Sequence, residues 1–164
     1  NLEETIYEGY GPNGVAIIVE TLTDNKNRTV AEVRHAFSKY GGSLGTDGSV
    51  AYLFTKVGQI VVENTDEEKI FDVSVSNGAD EVEQGDEDNL IISVEAEEFH
   101  NLKNVLEENE IKINQYELIM KASNSVELDD EASEKVINLL ESLEDLDDVQ
   151  NVHSNAEFSE GSFA

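Results

Sequence analysis

Four of the ten Lys and Arg residues of this chain fall within residues 24–54, as Lys26, Arg28, Arg34 and Lys39, and a fifth, Lys56, lies just beyond. His35 sits among them, and Gly41, Gly42, Gly45 and Gly48 follow directly. Cationic side chains neutralise a phosphate backbone and release its counterions. Glycine-rich backbone can turn N–H groups toward an anion. We therefore expect a nucleic-acid or anion contact at Lys26, Arg28, Arg34, His35 and Lys39, flanking a loop that holds Gly41, Gly42, Gly45 and Gly48. The same residues would also occur on an ordinary solvated helix face closed by a glycine cap and a flexible loop. Both readings stand at this point.

The elements that would position these residues are legible. Asp24, Asn25 and Asn27 are helix-capping residue types, so a helix is predicted to begin near Arg28. Val30, Val33, Ala36, Phe37 and Tyr40 then recur at spacings of three and four, drawing an apolar stripe along one face. Glu32, Arg34, His35, Ser38 and Lys39 fall off that stripe, toward water. Gly41 and Gly42 end the helix, because glycine adopts the left-handed conformation without a Cβ penalty. The loop GGSLGTDGS then leads into VAYLF (residues 50–54), predicted as a strand over 50–55.

The run ETIYEGYGPNGVAIIVETLTDNKNRTVAEVRHAFSKYGGSLGTDGSVAYLFTKVG, residues 4–58, closely resembles the YebC/PmpR family, and LDDEASEKVINLLESLEDLDDVQNVHSN continues the likeness near the C-terminus. Members are described as DNA-binding transcriptional regulators and as translation factors acting with the ribosome. Mitochondrial relatives are translational activators of cytochrome oxidase. The family also carries an N-terminal, helical, Lys/Arg-rich domain that nothing here matches. The resemblance thus implies a fragment with the second and third domains, whose nucleic-acid contact comes mainly from the absent basic domain. It further implies a ferredoxin-like domain inserted into the middle domain.

Charge sets the second constraint. The chain has 10 Lys and Arg against 37 Asp and Glu, a net of −27 over 164 residues. Residues 1–56 hold five basic and seven acidic side chains, whereas 57–164 hold five and thirty. The second part repels a phosphate backbone; its acidity serves solubility, suits a salty habitat or is the counterpart of a basic domain elsewhere, or it docks a basic protein. The chain is long enough to bury a core in one domain or two small ones. Cysteine is absent, which removes disulfides and thiolate metal sites. No apolar run approaches the roughly 18–20 residues that span a bilayer, and no signal-peptide pattern precedes the first strand. A cytoplasmic protein is expected, or a mitochondrial-matrix one for an organellar relative.

Along the chain, Thr5–Glu8 and Val15–Glu20 read as strands joined through the turn-rich GYGPNG. After the helix and the strand at 50–55, the pattern restarts beyond Lys56-Val57-Gly58. It continues as strand 59–63, helix 66–77 with Ile70, Val73 and Phe71 inward, and strands at 81–83 and 90–94. Helix 97–109, with Phe99, Leu102, Val105 and Leu106 inward, and strand 115–120 complete a β-α-β-β-α-β series, the split βαβ arrangement of ferredoxin-like domains. A helix at 130–144 and a strand at 149–153 supply what the first segment lacks. The expected fold class is α+β in two domains: a discontinuous one of residues 1–57 plus 123–164, and an inserted ferredoxin-like one of residues 58–122.

Gly9-Tyr10-Gly11-Pro12-Asn13-Gly14 spells the GxGxxG dinucleotide fingerprint, but that motif requires a helix after the glycines, and here VAIIVE follows. No Gly-Lys-Ser/Thr ending makes Gly41–Gly48 a P-loop. His35, His100 and His153 are too dispersed for a metal site, no serine sits in a GxSxG elbow, and the Asp clusters at 86–88 and 145–148 lack the spacing of an EF-hand. No cofactor, metal, small-molecule substrate or catalytic constellation is expected. The strands QIVVE and LIISV carry no aromatic platform for single-stranded RNA. The expected function is a non-enzymatic regulator of gene expression that works through DNA or through the ribosome and RNA. The alternative is an acidic protein-interaction module that docks a basic partner, such as a ribosomal protein or polymerase subunit.

Overall fold

The computed structural model describes residues 1–160. The chain divides into two compact units, one formed by Asn1–Phe54 with the segment from Ala122 onward, the other by Thr55–Lys121.

In the first unit, β1 (Glu3–Tyr10) and β2 (Ala16–Thr23) pair antiparallel from Glu3↔Thr23 to Tyr10↔Ala16. The turn between them, Pro12–Gly14, places Asn13 at φ 63° and Gly14 at φ 78°, left-handed conformations suited to Asn and Gly. The GxGxxG run therefore leads into a strand. Helix α1 (Lys26–Lys39) is capped by Asn25, whose side chain accepts from the Arg28 N–H at 3.1 Å. It buries Thr29, Val33, Ala36 and Phe37. The backbone then turns at Gly41 (φ 83°) into β3 (Ser43–Leu44), which pairs with β1. Gly9 is required by packing: a Cβ there would lie 2.7 Å from the Ser43 carbonyl oxygen and 2.8 Å from the Phe37 ring.

The predicted strand at 50–55 is corrected. Ala51–Leu53 form a single 3₁₀ turn closed by the Leu53 N–H on the Val50 carbonyl, and β4 (Phe54–Glu63) begins only afterward. The local β propensity of VAYLF yields to side-chain hydrogen bonds described below. Nor does the pattern break at Gly58, because β4 runs through it. A Cβ there would lie 2.3 Å from the Phe99 ring, so glycine lets the ring pack onto the strand.

The second unit continues with α2 (Glu67–Ser76), β5 (Ala79–Gln84), β6 (Asn89–Glu95), α3 (Phe99–Glu108) and β7 (Ile113–Ala122). Its sheet runs in the order β5-β6-β4-β7, with β6 antiparallel to both β4 and β5. Ile60, Val62, Ile70, Leu90, Ile92, Val94, Phe99, Leu102, Leu106 and Ile111 form one core. Phe71, expected inward, is half-exposed at 51%. Ile70 takes the core-facing position, and a neighbour one residue on, about 100° around the helix, is carried toward water.

The chain returns to the first unit through β8 (Val126–Glu127), α4 (Asp130–Glu144), β9 (Val149–Ser154) and β10 (Ala156–Glu157). Strand β9 pairs with β2, which gives the sheet order β3-β1-β2-β9, while β8 and β10 form a small parallel pair. Helices α1 and α4 share a core with β2 and the residue before it: Val15, Ile17 and Val19 meet Val33, Phe37, Val136, Leu139 and Leu143. Both units are thus α+β, with four α-helices among the described residues.

Candidate nucleic-acid interface

The five cationic positions expected to contact an anion separate into two groups along α1. At its N-terminal end, Lys26 Nζ lies 2.8 Å from Glu3 Oε2. The Arg28 guanidinium reaches Asp148 Oδ2 at 2.9 Å, Asp148 Oδ1 at 3.0 Å and Asp24 Oδ1 at 3.0 Å. Asp148 also accepts from the Thr29 hydroxyl at 2.7 Å and the Thr23 hydroxyl at 3.1 Å. These donors, Thr29 foremost and Arg28 next, hold its carboxyl below the ordinary carboxylate value. The same carboxylates raise Arg28 further, and Glu3 raises Lys26. The beginning of α1 is therefore tied by charge to Asp148, just before β9.

Arg34, His35 and Lys39 form the second group, exposed on the C-terminal half of α1. Neither Arg34 nor Lys39 takes part in an ion pair among the described residues. Lys39 Nζ lies 5.4 Å from the centre of the Tyr40 ring. His35 and Lys39 are four residues apart and so lie along the same side of the helix.

The glycine loop is organised from within. Glu8, on β1, is only 6% exposed, yet its carboxylate accepts from the N–H groups of Gly48 at 2.7 Å, Val50 at 2.9 Å and Ala51 at 2.6 Å. Burial pushes this carboxyl up, but the three backbone donors outweigh it, so the group titrates below its ordinary value. Gly45 N–H donates to the Glu8 carbonyl at 2.8 Å, and the Tyr10 hydroxyl donates to the Ser49 carbonyl at 3.1 Å. Gly42 N–H donates to Phe37 at 2.8 Å. Thus the N–H groups of Gly42, Gly45 and Gly48 all have internal acceptors. What these glycines supply is conformation and close approach: Gly48 has φ 86°, and a Cβ on Gly42 would meet the Tyr10 carbonyl oxygen at 2.3 Å. The carboxylate also holds Val50 and Ala51 out of the strand, and Tyr52 is presented to solvent at 77% exposure. Neither Glu8 nor Tyr52 was singled out from sequence. No local signal marks Glu8, because the loop carries acceptors of its own in Ser43, Thr46, Asp47 and Ser49, and only the fold sets Glu8 against it.

The model of the family described as TACO1/YebC second and third domain matches residues 2–156. The chain belongs to the TACO1/YebC family. A probable transcriptional regulatory protein of Legionella pneumophila (strain Lens) is 53% identical over 156 residues, covering 94% of this chain and 62% of that protein. One from Coxiella burnetii (strain Dugway 5J108-111) is 50% identical over 161 residues, covering 98% of this chain and 66% of the relative. The chain thus spans somewhat under two thirds of the length of these TACO1/YebC relatives. The crystal structure of a conserved hypothetical protein from Aquifex aeolicus is 44% identical and superposes with a TM-score of 0.78, covering 97% of this chain and 66% of that one. No helix among the described residues is long and apolar enough to cross a membrane.

Proposed function

We propose that this chain is part of a non-enzymatic regulator of gene expression and that its own contact with nucleic acid is made by the C-terminal half of α1 and the loop after it. The observation that carries this reading is the pair of exposed, unpaired cations Arg34 and Lys39 on a chain of net charge −27. They stand with His35 beside a loop already ordered by Glu8. Arg28, held by the largely buried Asp148, serves mainly to hold α1 in place, because a phosphate would have to displace that partner, whereas Lys26 makes only a solvent-exposed pair with Glu3 and contributes the weaker contact. Gly41, Gly42, Gly45 and Gly48 shape the backbone that carries Tyr52, whose ring is available to stack on a base.

The relatives' names speak for transcriptional regulation; we take DNA as the target, and the ribosome or RNA is the other target of the same chemistry. We assign the larger share of binding to the part of the longer relatives that this chain does not span, and the setting to the cytoplasm. The residues 55–121 unit is read as a ferredoxin-like domain inserted into the other, on its β-α-β-β-α-β order and its strand order.

The test is a full-length protein carrying Arg34→Glu and Lys39→Glu, titrated with labelled DNA and RNA over a range of salt. Each lost phosphate contact should lower the slope of log affinity against log salt by about one. Crosslinking in cells, followed by identification of rRNA or promoter DNA, separates the two targets. Unchanged affinity and slope in the double variant would remove α1 from the interface.

A further inference from the structure

A trough with an apolar floor of Phe71, Val82 and Leu90 and a polar rim opens on the second unit, between α2 and the sheet edge β5. Its volume is about 380 Å³, and it is lined by Glu67, Glu68 and Phe71 from α2, Val82, Glu83 and Gln84 from β5, and Leu90 from β6. Three observations bear on its occupant. First, β5 is an edge strand, with β6 as its neighbour in the sheet, so one side of its backbone presents unpaired N–H and C=O groups. Secondly, Phe71 is 51% exposed and Val75, one turn on, 48% exposed, an apolar pair on the face of α2 that the core does not cover. Thirdly, the three lining carboxylates, Glu67, Glu68 and Glu83, make no ion pair among the described residues, and Asp80 continues the acidic edge, while Glu81 is paired with Lys121 at 3.8 Å.

These features select one kind of ligand. A second copy of a chain with net charge −27 would bring like charge onto an already acidic edge. A phosphate backbone is repelled for the same reason. An enclosed small-molecule site would converge several polar groups on one point, whereas this trough is open and has its carboxylates spread along its rims. An extended peptide satisfies all three features together: its backbone pairs with the free edge, alternate side chains enter the trough, and the others meet the rim.

We propose that the trough between α2 and β5 receives an extended, Lys- or Arg-rich segment of another protein, which adds a strand to β5 and seats an apolar side chain against Phe71 and Leu90. The basic side chains lie on Glu67, Glu68 and Glu83, which set the choice of partner and the speed of encounter more than the affinity. Burial of the apolar side chain supplies the affinity. This docking is independent of Arg34, His35 and Lys39, which lie on the other unit.

The probes are two labelled peptides of about nine residues, one alternating lysine with valine and one of lysine alone. They are titrated against the full chain while backbone amide resonances are followed. The alternating peptide should bind at least about tenfold more tightly than the lysine peptide, a difference expected of one buried apolar anchor. Its shifts should concentrate on Val82–Gln84 and on α2. Phe71→Ala, at a half-exposed position, should erase the tenfold difference, while Glu83→Lys should weaken both peptides. Equal affinity for the two peptides, shifts scattered over the acidic surface, or an unaltered preference in Phe71→Ala would overturn the proposal. Arg34→Glu is expected to leave peptide affinity unchanged, and Phe71→Ala to leave nucleic-acid association unchanged, so either reading can fail without the other.

Discussion

Glu8 shows how one side chain converts a flexible sequence into a defined surface. Its carboxylate, almost out of water, takes N–H groups from Gly48, Val50 and Ala51, and so behaves as an internal substitute for the anion that such a loop could otherwise bind. Because its carboxyl is depressed below the ordinary 4.5 in the fold, its stabilising contribution is complete above the unfolded value and is lost as pH falls through the folded one. Asp148, depressed below 3.8, follows the same sign at the base of α1. Glu8→Gln keeps one acceptor and loses the charge, and should cost about 1–3 kcal/mol. In that variant the amides of residues 48–51 should exchange faster with solvent, and the acid-side loss of stability should become shallower. A variant as stable as the parent, with the same exchange pattern, would mean that the loop holds itself.

At the scale of elements, the apolar period of α1, α3 and α4 was enough to locate them, since each buries a single stripe. Asn25 was among the three capping residues anticipated for α1, and it alone makes the cap. The sequence misled at VAYLF and at Phe71, for different reasons. In the first, hydrogen bonds from a residue 42 positions away override β propensity. In the second, α2 has only Ile70 and Ser74 fully buried, so its stripe is too narrow to take a second large ring. Gly58 is the reverse instance, a glycine that looked like a break and is instead a packing requirement. Gly58→Ala places a Cβ 2.3 Å from the Phe99 ring, a clash that neither β4 nor the start of α3 can relieve cheaply. Overpacking of this kind should cost about 1–3 kcal/mol in the second unit. Urea unfolding followed at the Tyr116 ring, 6.2 Å from Phe99, reports it; an unchanged midpoint would show that the ring moves freely.

For the molecule as a whole, the two units have separate cores, and no residue belongs to both. If the insertion reading holds, residues 55–121 produced alone should unfold in one cooperative transition, with a denaturant dependence reduced in proportion to the smaller surface exposed. Near-UV signal from Tyr116 and protected amides in β4 and β6 would mark a native core. A fragment without a transition would place the unit among segments that fold only with the rest of the chain. The charge distribution also acts at this scale: Arg34 and Lys39 stand without ion pairs on the first unit, and Glu67, Glu68 and Glu83 stand without ion pairs on the second, among the described residues.

Sequence alone determined the α+β class, the order of the main elements, the stop of α1 and the concentration of acidity in residues 57–164, because these follow from local periodicity, backbone preference and formal charge; for the cap of α1 it offered three candidates. The family likeness was likewise legible in residues 4–58. Tertiary structure decided which charges remain available. Arg28 and Lys26 look like Arg34 and Lys39 in a string of letters, but Asp148 and Glu3 reach the first pair only after β1 and β9 flank β2. Among the loop glycines, the N–H groups of Gly45 and Gly48 go to Glu8, far from them in sequence, and that of Gly42 to Phe37. Long-range pairing of charge with its partner is a property of the fold, and no local pattern carries it.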